Sequence, residues 1–412
     1  MRTCQSLPIR LPHEFATSIV NCRNTLPQPF VGFKDDSTAL FPLPRCFSLG
    51  GNGCWFLSGG QHFLSEQLQN VPDNIVAFTT PRPRWPATVK EPPGEFELIA
   101  RLCARLPQSR RLVLGPGDDC AILASSPKPL LITIDSMVEG VHFKLDWGTP
   151  AMLGAKALAV NLSDIAAMGG NPTVCVINLA IRPGLDTRFF DELYRGLGKA
   201  AAAAGVAVAG GNITRASELA ITIALLGEVE RQPMRRDSAR PGDKIYVTGT
   251  VGDAALGLRI LQNKIIASGS AREYLVKRFL QPTAQVAAGR KLARIKLSPA
   301  AIDISDGLWQ DLGHVLERSG VGAKVNSTAL PLSVAYRQVY GNNCDLALNG
   351  GDDYELLFCL RGRTSEAELS RRLGVKVRCI GEITREKRAL LVSGTGEPAI
   401  VPNRGWDQLR AT

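Results

Sequence analysis

The sequence predicts a protein of mixed helix and strand, of the α/β or α+β class, with two folded halves. Its 412 residues are too many for one ordinary hydrophobic core. From residue 94 onward, β-branched apolar runs alternate with segments of helical periodicity. A polar, Arg-rich connection near residue 231, "RQPMRRDSARPGDK", interrupts this series, and a new strand then begins. We therefore predict folded domains at 94–230 and 231–412.

Residues 1–93 differ in composition from the rest of the chain. They are rich in Pro, Gly, Asn and Ser, contain four of the ten cysteines, and lead into the proline-rich stretch "TTPRPRWPATVKEPPGEF". A segment that buries little apolar surface cannot offset its ordering entropy, so we expect little stable fold here and predict that residues 1–88 are dispensable for catalysis. Two explanations stay open: an authentic disordered extension, or sequence ahead of a native start at Val89.

Helix and strand signals alternate through residues 94–230. "EFELIARLCARL" has its apolar residues on one helical face, and "LLITIDSMVEGVHF" predicts a strand. "AMLGAKALAVNLSDIAAMGG" predicts a helix stopped by Gly169 and Gly170, and "LDTRFFDELYRGLGKAAAAAG" a helix ending at Gly205. Further strands are predicted at "TVCVINLAI", "VAVAGGNIT" and "LAITIALLGEVE".

The second half continues in the same manner. "KIYVTGT" predicts a strand and "GDAALGLRILQ" a helix. "AIDISDGLWQDLGHVLERSG" predicts a strand, a turn and a helix, and "YELLFCL" and "VKVRCIGEIT" predict two more strands. Both halves therefore mix helices and strands.

Charge and composition exclude several classes of function. The formal charge is +10, but basic residues are scattered and not interleaved with aromatics, so no nucleic-acid surface is predicted. The cysteines show no C-x-x-C spacing, which favours reduced structural thiols. No apolar run reaches the roughly 18 residues of a membrane span, and the start lacks the apolar core of a signal peptide. We therefore expect a cytoplasmic protein that binds no membrane.

Carboxylates recur where apolar segments end. "VLGPGDDCAIL" contains Asp118 and Asp119, and "LNGGDDYELLF" repeats the pair as Asp352 and Asp353. Other acidic residues stand at such ends, namely Asp135, Asp164, Asp303 and Asp306. A single Asp is more often a helix cap or a solvated turn, but so many together favour a metal and phosphate site at strand ends. With the hydroxyls of Thr133 and Ser305, this oxygen-rich set suits Mg²⁺.

Other signatures of nucleotide or nucleophile chemistry are missing from the sequence. It has no G-x-x-x-x-G-K-[ST] motif, no G-x-G-x-x-G after a strand, and no Ser-His-Asp set. From residue 94 onward the histidines are His142 and His314, so zinc is not expected. "VTGTVGDAALG" is a turn before a helix that either presents amides to a phosphate or is a plain tight turn.

Eight motifs together resemble the thiamine-monophosphate kinase family, in the superfamily that includes aminoimidazole ribonucleotide synthetase. In order they are "GEFELIARL", "GPGDDCAIL", "TIDSMVEGVHF", "KALAVNLSDIAAMGG", "GGNIT", "RPGDKIYVTGTVGDAALGL", "AIDISDGL" and "GGDDYELLF". The resemblance runs from about Gly94 to the C-terminus. It implies a two-domain fold of the synthetase type, in which the first domain's sheet forms a barrel with a second copy across a two-fold axis and the second domain is α/β.

The resemblance also implies an activity and its participants. ATP would be the co-substrate, and its γ-phosphoryl group would pass by direct in-line attack to thiamine monophosphate, giving thiamine diphosphate. Several Mg²⁺ ions would assist the transfer, and the protein would be a homodimer. No catalytic side chain is required, because a phosphate monoester is already largely dianionic near neutral pH.

Site residues follow from the resemblance, motif by motif. The metal positions are Asp119, Thr133, Ile134 through its backbone, Asp135, Asp164, Asn212, Asp303 and Asp306. The ATP contacts are Gly211, Asn212, Arg236 and Ser305, and the thiamine phosphate contacts are His142, Asp352 and Trp406. Three positions depart from the family: Asn212 where some relatives have Asp, Asp352 where relatives often have Glu, and Ile134 where some have a hydroxyl residue.

Two alternative functions stay open. One is another ATP-dependent enzyme of the same superfamily, acting on a purine intermediate, selenide or a carbamoylated partner. The other is a catalytically silent nucleotide-binding protein, which the intact set of acidic residues disfavours.

Overall fold

The computed structural model describes the greater part of the chain from residue 95 onward. The described residues are 95–107, 109–114, 120–295, 299–362, 364–393, 398–399, 401 and 405. Predictions about residues 1–93 and the start at Val89 concern residues outside this set. Within it, helices and strands intermix in both halves, which confirms the predicted class.

Ten α-helices occur in the described ranges. They are α1 (Glu95–Cys103), α2 (Pro150–Ala167), α3 (Thr187–Ala204), α4 (Asp253–Leu261), α5 (Gly269–Leu280), α6 (Val286–Ala293), α7 (Leu308–Ser319), α8 (Val334–Tyr340), α9 (Asp345–Asn349) and α10 (Glu366–Leu373). Two short 3₁₀ turns lie at Arg236–Ser238 and Ser327–Ala329. None of the helices in these ranges has the length and apolar composition needed to cross a membrane.

Thirteen strands complete the described part of the chain. They are β1 (Leu112–Leu114), β2 (Ile122–Leu123), β3 (Leu130–Val138), β4 (Asn171–Ile181), β5 (Ala207–Arg215), β6 (Ala220–Glu228), β7 (Lys244–Thr248), β8 (Ala300–Asp303), β9 (Gly322–Asn326), β10 (Leu356–Leu360), β11 (Val377–Thr384), β12 (Ala389–Val392) and β13 (Pro398–Ala399). Strands β1 and β2 form a separate antiparallel pair.

The first half contains a four-stranded sheet in the order β3, β6, β4, β5. All neighbours are antiparallel except β4 and β5, which are parallel and connected through α3. Helices α2 and α3 cover one face, against which Cys175, Ile177 and Ile223 are buried. On the other face, Ile132 and Ile134 of β3 are 77% and 65% exposed. The sheet is therefore covered on one side only within the described chain.

The second half contains a seven-stranded sheet in the order β13, β12, β9, β11, β7, β10, β8. Its central strands are buried on both faces, because alternate residues enter different cores. On β7, Val247 packs with the helices α4 and α7, whereas Tyr246 packs with α6 and α10. The loop that carries the second Asp-Asp pair, Asp352 and Asp353, leads into β10, whose residues "LLFCL" are all buried.

Helix α2 lies between the two halves and is packed closely against its neighbours. Its first turn is capped by Thr149, whose side chain accepts the amide hydrogen of Met152, and it ends before Gly169 as predicted. A Cβ added at Gly154 would lie 2.0 Å from the Leu193 carbonyl oxygen of α3, and one at Gly289 of α6 would lie 2.1 Å from that of Ala166. Glycine thus lets the neighbouring helices touch the α2 backbone at both of its ends.

Candidate functional site

Three elements bring their polar residues together at one end of α2. Thr133 Oγ1 on β3 donates a hydrogen bond of 2.5 Å to Asp164 Oδ2 on α2. The preceding residue, Ser163, donates from Oγ to Asp303 Oδ2 at the end of β8, at 2.8 Å. The structure therefore brings together three of the predicted site positions and their neighbour Ser163, with residues from both halves of the chain.

The register of β3 decides which of its residues face this cluster. Side chains alternate between the two faces of a strand, so Thr133 and Asp135 point towards α2 while Ile134 points to the open face of the sheet. On the cluster side of the strand, Ile134 therefore has only its backbone to offer a ligand.

The carboxylates of the cluster are buried close to one another, so burial and mutual repulsion disfavour their charged forms. Burial, with the charges of Asp164 and Asp306, raises the pKa of Asp135 to about 6. Burial and the charge of Asp164 raise the pKa of Asp303 to about 7, although the Ser163 hydrogen bond and the positive charge of Arg236 act in the opposite direction. Like charges that share a buried site in this way are stabilised by a cation, so the residues present fit Mg²⁺.

The turn after β8 is shaped by a residue that the sequence reasoning missed. Asp311, in the first turn of α7, accepts backbone amide hydrogens from Ser305, Asp306 and Gly307 at 3.1–3.2 Å. Burial raises the pKa of Asp311 to about 8, and those backbone donors oppose the shift. Its ligand atoms lie within 4.8 Å of those of Asp306 and His314. The spacing of Asp306, Asp311 and His314 along the start of a helix was the available signal.

Asp352 occupies a second region next to this cluster. Its backbone has a left-handed φ of +68°, and its amide donates to the Ser305 carbonyl at 2.9 Å. One carboxylate oxygen accepts from the Tyr354 hydroxyl at 2.8 Å, and the other lies 3.4 Å from Nζ of Lys156 on α2. The charge of Asp352 also contributes to a raised pKa at Asp306. The predicted substrate residue is thus adjacent to the predicted metal residues.

The turn before α4 binds a carboxylate of the chain itself. The amides of Gly252 and Ala254 donate to Asp353 at 2.6 and 3.3 Å. These two amides are therefore occupied by an acidic side chain, which favours the tight-turn reading of "VTGTVGDAALG" over the phosphate-binding one. Burial raises the pKa of Asp353 to about 8.

Glu355, at the end of the same loop, is also anchored. It accepts from Thr248 Oγ1 at 2.7 Å and from Arg278 at 3.0 Å. Burial raises the pKa of Glu355 to about 7, against the effect of Arg278. The loop that holds Asp352 is therefore fixed by buried polar contacts at two residues that follow it, Asp353 and Glu355.

Asn212 and Gly211 lie on β5, away from the α2 cluster. The Asn212 amide donates to Asn178 Oδ1 at 2.8 Å, and Asn178 stands in register with Thr222, which hydrogen-bonds to Ser136. These four polar residues form a row on the open face of the sheet, whereas Asp135 faces the other way. The structure does not bring the Asn212 side chain to Asp164.

The remaining predicted residues are placed as follows. His142 follows β3, and its Nδ1 accepts the Val138 amide hydrogen at 3.0 Å. Arg236 lies in the 3₁₀ turn after the first domain, close enough to act on the charges of Asp164 and Asp303. Asp118, Asp119 and Trp406 lie outside the described residues.

Family models and individual relatives both match this chain over most of residues 117–392. The family model described as "AIR synthase related protein, N-terminal domain" matches residues 117–229, and that of the corresponding C-terminal domain matches residues 240–392. Thiamine-monophosphate kinase of Escherichia coli strain K12 is 40% identical over 324 residues, which cover 76% of this chain and 98% of the relative.

Solved structures agree with these matches. The crystal structure of thiamine-monophosphate kinase from Stenotrophomonas maltophilia K279a superposes with a TM-score of 0.66 at 37% identity, covering 74% of this chain and 98% of its own. A structure described as "AaThiL complexed with AMPPCP and TMP" superposes with a TM-score of 0.61 at 34% identity, covering 77% and 97% of the two chains.

Proposed function

Because the chain belongs to the thiamine-monophosphate kinase family of AIR synthase-related proteins, we propose that it transfers the γ-phosphoryl group of ATP to thiamine monophosphate, giving thiamine diphosphate and ADP. The observation that carries the proposal is the convergence of Asp164, Asp303 and Thr133 from both halves of the chain. The relative whose structure is described with AMPPCP and TMP supports the same pair of substrates.

The chemistry of the reaction matches the residues of the site. The acceptor phosphate has a second pKa of about 6, so near neutral pH it is a nucleophile without a general base. The obstacle is repulsion between two polyanions, since unit charges 4 Å apart repel by about 4 kcal/mol at an effective dielectric of 20. Mg²⁺ ions, when bound, would neutralise this repulsion and align the two phosphates for in-line transfer.

The chain's residues take separate roles in this proposal. Those proposed to hold Mg²⁺ are Asp119, Thr133, the Ile134 backbone, Asp135, Asp164, Asp303 and Asp306. Arg236 would bind polyphosphate oxygens with its planar fork, together with Ser305. His142, Asp352 and Trp406 would line the acceptor site, where the indole offers a flat face to the cationic ring of thiamine. Roles for Gly211 and Asn212 in ATP or metal binding stay predictions from the family.

A direct assay tests the proposed activity. The purified full chain, incubated with ATP, Mg²⁺ and thiamine monophosphate, should form thiamine diphosphate that chromatography separates from the substrate. Leaving out Mg²⁺ should abolish product, and free thiamine should not be phosphorylated. ATP binding without product would favour the silent binder, and turnover of a different phosphate acceptor would favour another enzyme of the superfamily. Equal turnover of free thiamine would also contradict the proposal.

Metal binding should make stability depend on pH in a defined direction. The folded pKa values of Asp135 and Asp303, about 6 and about 7, exceed the unfolded value of about 3.9. Between about pH 4 and 7 these two groups therefore bind more protons in the metal-free native state than in the unfolded state, and their contribution to stability falls as pH rises. Mg²⁺ binds the deprotonated carboxylates, so we expect it to raise the melting temperature more at about pH 8 than at about pH 5.5.

Thermal melts with and without MgCl₂ at the two pH values measure this difference. Asp303→Asn should reduce the Mg²⁺ effect at the higher pH. An equal Mg²⁺ shift at both pH values would contradict the assignment of these carboxylates as ligands.

We further propose that the chain forms a homodimer through the open face of the four-stranded sheet. Ile132, Ile134 and Val176 present a continuous apolar strip there, because Ile134 and Val176 both stand in register with Ala224 on β6. An unpartnered apolar sheet face of this kind is typical of an interaction surface. A second copy, related by a two-fold axis, would cover it.

Disrupting this face should convert the dimer to a monomer. Ile132→Asp would place a charge in the proposed interface, and burial of one isoleucine contributes about 1.5–3 kcal/mol per protomer. Light scattering after size exclusion at micromolar concentration should give a dimer mass for the unaltered protein and a monomer mass for the variant. Ile266→Asp, at a residue 96% exposed outside the sheet, is the matched control and should remain dimeric. A monomeric unaltered protein would contradict the proposal.

A further inference from the structure

Helix α2 contacts three different parts of the site through residues on one side. Lys156 reaches Asp352, Ser163 reaches Asp303, and Asp164 receives the Thr133 hydroxyl. Seven and eight residues are about two helical turns, so these side chains project in similar directions, with Lys156 about 12 Å along the axis from Asp164. One rigid helix therefore spans the distance between the acceptor region and the metal region.

Lys156 is the least expected member of this set. Its side chain is 4% exposed, its Nζ lies 3.6 Å from the centroid of the Phe279 ring, and its carboxylate partner is Asp352 at 3.4 Å. A buried ammonium has lost its water shell and is tolerated only where an anion and a polarisable face replace it. Burial, the Phe279 ring and the Asp352 carboxylate together leave the ammonium little freedom to move. It therefore defines one position for the carboxylate of Asp352.

Tyr354 fixes the same carboxylate from the other side. Its hydroxyl donates to Asp352 Oδ1 at 2.8 Å, and both residues have left-handed backbone conformations, with φ of +52° and +68°. Such conformations cost free energy in non-glycine residues and persist where the surroundings enforce them. Here the amides of both residues donate to the turn after β8, at Ile304 and Ser305. The carboxylate is thus held by its backbone and at both oxygens.

A fixed carboxylate still has capacity for a substrate. Its two oxygens together accept about four hydrogen bonds, of which Lys156 and Tyr354 take one each. The side chain of Asp352 is 29% exposed, so the remaining lone pairs are reachable from solvent. A cationic ring or its donors could bind there without displacing either partner.

We propose that Lys156 and Tyr354 are positioning residues for the acceptor, holding the Asp352 carboxylate at a set distance from the carboxylates at the other end of α2. This inference rests on the proposed role of Asp352 in binding thiamine monophosphate. Holding the carboxylate in place matters because a preorganised group loses less conformational entropy when the acceptor binds, so it binds the acceptor more tightly. Relatives often have the longer Glu where this chain has Asp352. Lys156 and Tyr354 hold the carboxylate of the shorter side chain in place.

Steady-state kinetics of four variants test the inference. Lys156→Met keeps the packing on Phe279 and removes the charge, Tyr354→Phe removes the hydroxyl, and Asp352→Asn removes the carboxylate charge. We expect KM for thiamine monophosphate to rise about tenfold in each, with KM for ATP changed less than about twofold, because uniform loss of binding appears in KM. The double variant Lys156→Met/Asp352→Asn should resemble Asp352→Asn alone, since both changes remove one coupled interaction.

Controls separate positioning from a general effect on folding. The melting temperature of Lys156→Met should change little, because the remaining partner Asp352 has a side chain that is 29% exposed and stays hydrated when the ammonium is removed. Lys199→Met, at an exposed position of α3, is the matched lysine control and should leave both KM values unchanged.

The outcomes distinguish failure of the positioning role from failure of the substrate role of Asp352 and of the kinase activity. If Asp352→Asn leaves KM for thiamine monophosphate unchanged while the unaltered protein turns over, the substrate role of Asp352 and the inference both fail, and the kinase proposal stands. If Asp352→Asn raises that KM but Lys156→Met and Tyr354→Phe do not, the inference alone is overturned. Additive effects in the double variant would also overturn it.

Discussion

Replacing Asp303 by Asn is expected to reduce turnover about a hundredfold or more while the protein stays folded. The side chain is 3% exposed and shares its site with the charge of Asp164. Asn has nearly the same size and can still accept the Ser163 hydrogen bond, but it supplies no negative charge to a metal ion. A loss of about 3 kcal/mol in transition-state stabilisation is enough for this effect. Asp135→Asn should behave alike.

The measurement is the turnover number at saturating Mg²⁺ and both substrates, with circular dichroism to establish folding. Asp345→Asn, at an exposed helix start, is the matched control and should retain full activity. A near-normal rate in Asp303→Asn at saturating Mg²⁺ would remove that residue from the metal set.

Replacing Arg278 by Met is expected to lower the free energy of unfolding by about 3 kcal/mol at about pH 8. Arg278 is 15% exposed and pairs with Glu355, which is 3% exposed, at 3.0 Å. Removing one partner leaves a buried charge without compensation, and that costs far more than losing an exposed pair. Lys244→Met provides the comparison, because its pair with Glu382 at 2.7 Å is about half exposed on both sides. It should cost less than about 1 kcal/mol.

The size of the Arg278 effect should also depend on pH. Burial raises the pKa of Glu355 to about 7, so at about pH 5.5 this carboxyl is largely neutral in the native state. The uncompensated charge is then absent, and Arg278→Met should destabilise less than at about pH 8. Urea unfolding at the two pH values measures the difference. Equal losses for Arg278→Met and Lys244→Met would contradict the importance of burial.

The long helices and strands were predictable from sequence because each combines a regular spacing of apolar residues with a residue that ends the element. Helix α3 begins after its cap Asp186 and ends at Gly205, whose φ of +69° suits glycine. Helix α5 was not predicted, because its start has no side-chain cap bond and its buried stripe is only Ala271, Leu275 and Phe279. Short helices such as α9 have too few residues to show a period.

The site was predictable to the extent that its residues stand at the ends of elements. Asp164 and Asp303 were identified because carboxylates recur where apolar segments stop. Lys156 and Asp311 lie inside helices, where a charged residue usually faces solvent, and their roles depend on partners from elsewhere in the fold. The turn before α4 shows the same limit, since the carboxylate that fills it, Asp353, is a hundred residues away in the chain.

The glycines around α2 have a consequence for how the protein tolerates change. A Cβ at Gly154, at Gly196 of α3 or at Gly289 would lie 1.9–2.1 Å from a backbone carbonyl oxygen, which no side-chain adjustment can relieve. Even alanine at these positions would push a neighbouring helix and shift one end of α2 against the other. In a library of all single substitutions selected for growth, these three positions should therefore be depleted as strongly as the proposed metal ligands, although none of them carries a functional group.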